Sequence, residues 1–309
     1  MLHVLYLSVG FVLLTKGAGW LVDGGSTIAE RLGLSQLMVG LTVIAWGTSL
    51  PEMVVTVVAS LDGHPSIGLG NALGSNIANI GLVLGATSVL LPATLAWRVR
   101  RRDKVWLLSS VGALWLAMYF FGGLERTGGA LLLVMFLLYN VSLWRAVKGS
   151  EEETRPGGNK VLRKAILLLI MASAFVAVGA HLIVHSASFL AMTFKVSDRV
   201  IGLSVVAIGT SLPELAAGIA AALKGKAGIG IGNVIGSNLF NTLAVLGVAG
   251  VLKPIEDAAV IGSVLSLDLP VVFSFSIAAI LLPRWGGPSK VKGWFLLTGY
   301  VVFLLSTQL

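Results

Sequence analysis

The stretch "GLTVIAWGTSLPEMVVTVVASLDGHPSIGLGNALGSNIANIGLVLG", residues 40–85, is matched without a gap by "GLSVVAIGTSLPELAAGIAAALKGKAGIGIGNVIGSNLFNTLAVLG", residues 202–247. The offset is 162 throughout (202 − 40), and about half of the aligned positions are identical. A weaker match extends upstream, where "GAGWLVDGGS" (17–26) faces "GAHLIVHSAS" (179–188). An internal duplication decides the architecture before any single element is assigned.

The surroundings of the repeats are lipid-soluble. Of 309 residues, 56% are hydrophobic and only 12% charged, and the mean hydropathy is +0.93. A soluble domain rarely tolerates that balance, whereas a polytopic membrane protein requires it. A helix needs about 20 apolar residues to cross the hydrocarbon, and about ten such stretches fit the chain. They run over 3–28, 35–60, 67–91, 105–122, 127–146, 162–190, 196–222, 229–251, 259–282 and 291–308. These runs are too long and continuous for the alternating strands of an outer-membrane barrel. No basic segment precedes "VLYLSVGFVLL", so the N-terminus reads as a retained first span rather than a cleaved leader. The chain has no cysteine, which excludes disulfides and thiolate metal sites.

The net charge of +8 suggests a polyanion partner until the charges are placed. One set of loops holds Arg31, the run Arg98, Arg100, Arg101, Arg102 and Lys104, then Arg145, Lys148, Arg155, Lys160, Arg163 and Lys164. It also holds Lys224, Lys226, Arg284, Lys290 and Lys292, while the opposite loops hold only Arg126, Lys195, Arg199 and Lys253. The positive-inside rule puts the first set in the cytoplasm and both termini outside. The basic residues orient the chain in a cell membrane, and no nucleic-acid partner is expected.

The halves meet in a polar segment, "KGSEEETRPGGNK" (148–160), which reads as a cytoplasmic linker. It divides a first repeat, 1–147, from a second, 161–309. Five spans per half is an odd number, so the second copy enters the membrane inverted. The expected fold is an all-α polytopic membrane protein, with ten transmembrane helices in two inverted five-helix repeats. Inverted repeats with helices broken near the midplane are a transporter architecture, with the site at the repeat interface.

The break is legible in GTSLPE, which occurs at 47–52 and at 209–214. Ser49-Leu50-Pro51-Glu52 fits a capping box with proline in the first turn. An ionised glutamate in the middle of an apolar span costs several kcal/mol unless paired or hydrated, so the cap alone does not explain it. Pro51 has no N–H for the Gly47 carbonyl, and carbonyls around Ala45 to Thr48 are expected to be freed. Unsatisfied backbone at this depth survives only beside protein or a polar cavity. Thr48, Ser49 and Glu52 add hydroxyls and a carboxylate, giving the all-oxygen set that hard cations prefer. The second copy supplies Ala207, Thr210, Ser211, Pro213 and Glu214.

The next span adds "GNALGSNIAN" (70–79) and "GNVIGSNLFN" (232–241). Ser75 and Asn79 share a helix face with Asn71, and Ser237 and Asn241 repeat the arrangement with Asn233. Gly70, Gly74, Gly232 and Gly236 fit small-residue packing between helices, which leaves the amides to be explained by a site. Charge counting sharpens this. Two carboxylates ringed by neutral oxygens are neutralised by one divalent ion or two monovalent ones. The empty site, with two like charges close together, is expected to take up protons or to resist changing access.

The paired GTSLPE and G-N-x-x-G-S-N-x-x-N segments resemble the alpha repeats of the sodium/calcium exchangers, within the cation/Ca2+ exchanger superfamily. The likeness extends over essentially the whole chain, in its length, its spans and its central linker, and is to the prokaryotic type. It implies electrogenic antiport of several Na+ against one Ca2+ and no enzymatic activity. No cofactor is expected, the transported ions and the bilayer are the expected partners, and the chain can act as a monomer, its oligomeric state being left open by the sequence. It further implies that Glu52 and Glu214 coordinate Ca2+, helped by backbone oxygens of Thr48 and Thr210. Ala45, Ser49 and Ser75 would form one flanking Na+ site, Ala207, Ser211 and Ser237 its mirror image, and Asn79 and Asn241 would line the middle. Some relatives carry aspartate at the position of Asn241. Asparagine here removes a titratable group and weakens the case for K+ co-transport. The long regulatory loop of animal exchangers has no counterpart in 148–160.

Other classes fit less well. A proton-coupled divalent-cation exchanger would use the same two glutamates. A channel with acidic rings does not need inverted broken helices, and a hydrolase built on Ser49 or Ser211 lacks a repeated base. Lys16 is expected to snorkel or pair. His181 and His185 have i, i+4 ligand spacing without a third ligand near them in sequence, and they face Gly19 and Asp23 of the first half. Trp97, Trp106, Trp144 and Trp294 suit the membrane interfaces.

Overall fold

The computed structural model describes residues 2–92, 99–148, 159–193, 207–286 and 290–306. Apart from one isolated antiparallel bridge between Leu124 and Ile255, the regular elements described are helices. The first half comprises α1 (Leu2–Leu32), α2 (Gln36–Thr48), α3 (Leu50–Leu61), α4 (Pro65–Leu90), α5 (Arg101–Phe121) and α6 (Arg126–Lys148). The second half comprises α7 (Asn159–Thr193), α8 (Ala207–Thr210), α9 (Leu212–Leu223), α10 (Ala227–Leu252), α11 (Ala258–Arg284) and α12 (Lys290–Ser306). Seven of these are long and apolar enough to cross a membrane alone, and α2 with α3 makes an eighth crossing bent by 45°. The pair α8 and α9 and the 17-residue α12 occupy the places of the two remaining expected spans. The expected start of the α8–α9 span, 196–206, lies outside the described residues, as do Lys195, Arg199, Trp97 and positions 149–158 of the expected linker.

The buried side chains form two clusters. One is built on α1 and α7, with Leu14, Ala18, Leu21 and Val22 against Ala172 and Val176, and it reaches Ala217 and Ala221 of α9. The other runs through α4, α5, α6, α10, α11 and α12 and holds Leu69, Ile77, Leu107, Leu132, Ile235 and Leu243. The two cores meet where α2 crosses α10. There a Cβ on Gly40 would lie 2.5 Å from the Ile229 carbonyl, and one on Gly232 would lie 2.5 Å from the Leu37 carbonyl. The helices touch through backbone, so only glycine fits at either position. Without an apolar driving force between helices in lipid, close contact of this kind is what holds them together.

Regular α-helix gives way to π turns at Gly40–Ile44, Asn79–Leu84, Phe240–Val245 and Val264–Asp268. Such turns insert a residue, rotate the downstream helix face and concentrate at functional positions. Three of the four lie beside the polar segments singled out by the repeats.

Candidate functional site

The two copies of the hexapeptide fold alike. Ser49 (φ −91°, ψ 8°) and Ser211 (φ −89°, ψ 3°) each leave the helical region, and Pro51 and Pro213 open the next helix. The break releases fewer carbonyls than expected. The Ala45 carbonyl accepts from the Ser49 N–H at 3.0 Å and from the Thr48 hydroxyl at 3.3 Å, and the Ile208 carbonyl accepts from the Ser211 N–H at 3.1 Å. The second helix tightens into its break through an i→i−3 bond, the first keeps its ordinary i→i−4 bond, and both keep part of their own backbone satisfied. The carbonyl facing proline loses its N–H donor outright.

Glu52 and Glu214 are fully buried, as are Thr48, Ser49, Ser211, Ser237, Asn79 and Asn241. The Glu214 Oε1 atom accepts from the Ser49 hydroxyl at 2.8 Å and from the Ser237 hydroxyl at 3.3 Å. The Ser75 hydroxyl donates to Glu52 Oε1 at 3.4 Å and lies 3.5 Å from the Thr210 hydroxyl. The Thr48 hydroxyl also reaches Asn233 Oδ1 at 3.0 Å. Each half thus lends hydroxyls to the other half's cluster. The hydrogen bonds group Ser49 with Ser237 at Glu214, and Ser75 with Thr210 at Glu52, rather than Ser49 with Ser75 in one set and Ser211 with Ser237 in the other. Ala45 is buried beside this network, and Ala207 opens α8, one turn before Ser211.

What the protein leaves unsatisfied is as informative. Glu52 Oε2, Glu214 Oε2, Ser211 Oγ and both polar atoms of Asn79 and of Asn241 are buried with no hydrogen-bond partner among the described residues. Buried polar groups are otherwise almost always paired, because an orphaned one costs about 1–3 kcal/mol and a charged one more. Two carboxylate oxygens, two amide oxygens and a hydroxyl without protein donors suit a cation as cargo. Among the described residues no group of three or more His, Cys, Asp or Glu is placed to hold a metal ion, so this set is weak in charge and rich in neutral oxygen. That composition suits an ion that must also leave.

Three neighbours were not assigned a role from sequence. The Asn76 amide donates to the Thr242 hydroxyl at 2.8 Å, and the Asn238 amide donates to the Asn76 carbonyl at 3.1 Å. They tie α4 to α10 beside the cluster. Asn76 and Asn238 repeat at the 162 offset and were visible in the motif, but Thr242 aligns with Ile80 and carried no signal. Asn71 donates to the Glu52 carbonyl at 3.4 Å and to Thr56 Oγ1 at 3.2 Å, fixing the start of α3 against α4. Lys16 is exposed on α1, away from the cluster. His181 and His185 stack at 6.1 Å between ring centroids, and His3 of α1 joins them at 5.8 Å from His185.

Comparison with known proteins bears on this geometry. The family model described as sodium/calcium exchanger protein matches residues 2–145 and 164–307. The inner membrane protein YrbG of Escherichia coli is 37% identical over 314 residues, covering 96% of this chain and 94% of its own. The sodium/calcium exchanger MaX1 of Methanosarcina acetivorans is 31% identical over 349 residues, covering 98% of this chain and 97% of its own. A solved structure of the sodium-calcium exchanger NCX_Mj, soaked with Na+ and Ca2+, superposes with a TM-score of 0.83 at 32% identity, covering 99% of this chain and 98% of its own.

Proposed function

The chain belongs to the sodium/calcium exchanger family, and from that premise we propose that it is an electrogenic antiporter that moves several Na+ against one Ca2+ by alternating access. The observation that carries this reading is the set of orphaned buried oxygens shared between two inverted helix breaks. Glu52 and Glu214 bind Ca2+ through their unpartnered oxygens, with Asn79 and Asn241 completing the middle of the site. Na+ takes the hydroxyl-rich positions on either side, one at Ser49, Ser237 and Ala45, the other at Ser75, Thr210, Ser211 and Ala207. The charge balance follows. One Ca2+ neutralises the two carboxylates, whereas two flanking Na+ with a third in the vacated middle of the site leave it net positive, so exchange carries charge.

The site is at the interface of repeats 1–147 and 161–309, joined by a cytoplasmic linker at 148–160, with both termini outside and the single chain as the transporting unit. The functional test is uptake of radiolabelled Ca2+ into proteoliposomes loaded with Na+ and diluted into Na+-free buffer. Uptake that requires internal Na+, and is enhanced by a compensating potassium diffusion potential, is the expected result. Uptake driven equally by a pH gradient without Na+ would transfer the same two glutamates to a proton-coupled exchanger.

A further inference from the structure

The two halves are equivalent in sequence and unequal in cover. On the face where α9 ends, α1 lies across α9 and buries Ala217 and Ala221, which are 1% and 0% exposed. A salt bridge closes this contact. Lys224 Nζ, just beyond α9, lies 2.6 Å from Asp23 Oδ1 of α1 and donates to the Gly19 carbonyl at 2.8 Å. At the 162 offset Ala217 becomes Val55 and Ala221 becomes Ala59 on α3. Val55 is 40% exposed and lines an open groove of about 410 Å³ with Val54, Val58, Asp62 and His64. The same offset turns Lys224 into Asp62, Asp23 into His185 and Gly19 into His181. The polarity of the pair is reversed, yet its complementarity survives: lysine against aspartate on one face, aspartate against histidine on the other.

We propose that Asp62 and His185 form the latch of the opposite access state, closed when the outer half of α7 covers the α3 groove as α1 now covers α9. In an inverted-repeat transporter the two halves exchange conformations between states, so the contact made by one half specifies the contact awaiting the other. Among the described residues, neither side chain has a hydrogen bond or ion pair in the present state, and both are exposed. The rings facing His185 are His181 on its own helix and His3 on α1, with Tyr6 beyond His3 and Phe189 stacked on it. The carboxylate that α3 brings to this cluster on closure is Asp62, accompanied by His64. Imidazole changes charge between about pH 5 and 8. A protonated His185 gains a charge-assisted partner only in the closed state, so acid on this face favours closure and alkali releases it. The inner pair, Lys224 with Asp23, contains no imidazole. The chain thereby gains a one-sided pH response from a pair that its own duplication made.

The inference rests on alternating access but not on the identity of the ions. The absence of native cysteine permits a direct test. Asp62→Cys with His185→Cys, oxidised in membranes, should yield a disulfide-linked peptide pair detectable by mass spectrometry. Transport should also show a step of up to about fivefold between pH 5.5 and 8 applied to this face, on the order set by a single charged partner. Asp62→Asn and His185→Gln should each flatten the step, and Asp62→Lys with His185→Asp, which copies the inner pair, should restore closure without pH dependence. Failure of the disulfide to form, or a step unchanged in both single variants, overturns the latch. A disulfide that forms while Na+ drives no Ca2+ uptake upholds the latch and refutes the ions proposed above.

Discussion

Glu52 and Glu214 occupy the same position of the same hexapeptide, yet they are held differently. Glu214 accepts from two serines, Ser49 at 2.8 Å and Ser237 at 3.3 Å. Glu52 accepts from Ser75 at 3.4 Å, and among the described residues the hydroxyl of Ser211, the counterpart of Ser49, has no hydrogen-bond partner. Identical sequence with nearly identical backbone at the two breaks carries unequal contacts, because the hydroxyls that reach each carboxylate come from both halves and are not placed alike. An exchanger needs this inequality. If both breaks were always held alike, neither face would have reason to open. The same difference appears at the periphery, where Lys224 clamps α1 while Asp62 waits uncovered.

The comparison is broken most completely by removing either carboxylate. Glu52→Gln and Glu214→Gln should each lower Na+-driven Ca2+ transport by roughly 100-fold or more, since even residues behind a metal ligand are worth 10- to 100-fold. Neither should lower the melting temperature, because each removes a buried charge whose second oxygen lacks a protein partner. Next come the serines. Ser49→Ala deletes a hydrogen bond to a carboxylate, worth about 1.5–3 kcal/mol, and should weaken Ca2+ binding about 10- to 100-fold. Ser211→Ala should change it less than about threefold, because its hydroxyl bonds nothing in this state. Equal losses in equilibrium binding would mean that the asymmetry is not a property of the resting protein.

Packing provides a third contrast. Gly232→Ala places a Cβ 2.5 Å from the Leu37 carbonyl and should destabilise by about 1–3 kcal/mol. Gly70 is its repeat counterpart, and among the described residues nothing lies within 4 Å of a Cβ built there. Gly70→Ala should therefore stay within about 0.5 kcal/mol, read as the thermal transition in detergent. The smallest effect is expected at the latch. Lys224→Gln removes a partly exposed pair worth about 0.2–1 kcal/mol. Stability should hardly change. The balance of access states should shift up to about fivefold, seen as slower labelling of a lone Asp62→Cys thiol by an impermeant maleimide.

Much of this was readable from the chain. The duplication, the apolar runs and the proline inside an apolar span determined the membrane fold and the location of the breaks. Most polar residues of the two motifs are buried, and Ser49, Ser75 and Ser237 bond the two carboxylates. The grouping was not readable, because Ser49 and Glu214 are 165 positions apart and a linear motif says nothing about which copy its hydroxyl serves. The π turns were also hidden. "NIGLVL" and "FNTLAV" have ordinary helix-compatible composition, and the extra residue is accommodated by packing between α4, α10 and α12 rather than by a local signal. Thr242 was missed because it breaks the repeat. The Lys224–Asp23 pair was missed because each partner looked like an isolated loop or helix-end charge, and the ligand spacing of His181 and His185 gave no sign that His3 of α1 lies beside them.

The most direct measurement is equilibrium binding of radiolabelled Ca2+ to the purified protein, titrated with Na+. The account predicts one Ca2+ per chain, displaced by Na+ with a cooperative dependence and lost in both Glu52→Gln and Glu214→Gln. Ca2+ that remains bound when both glutamates are replaced, or that Na+ fails to displace, would contradict a single shared site between the inverted breaks.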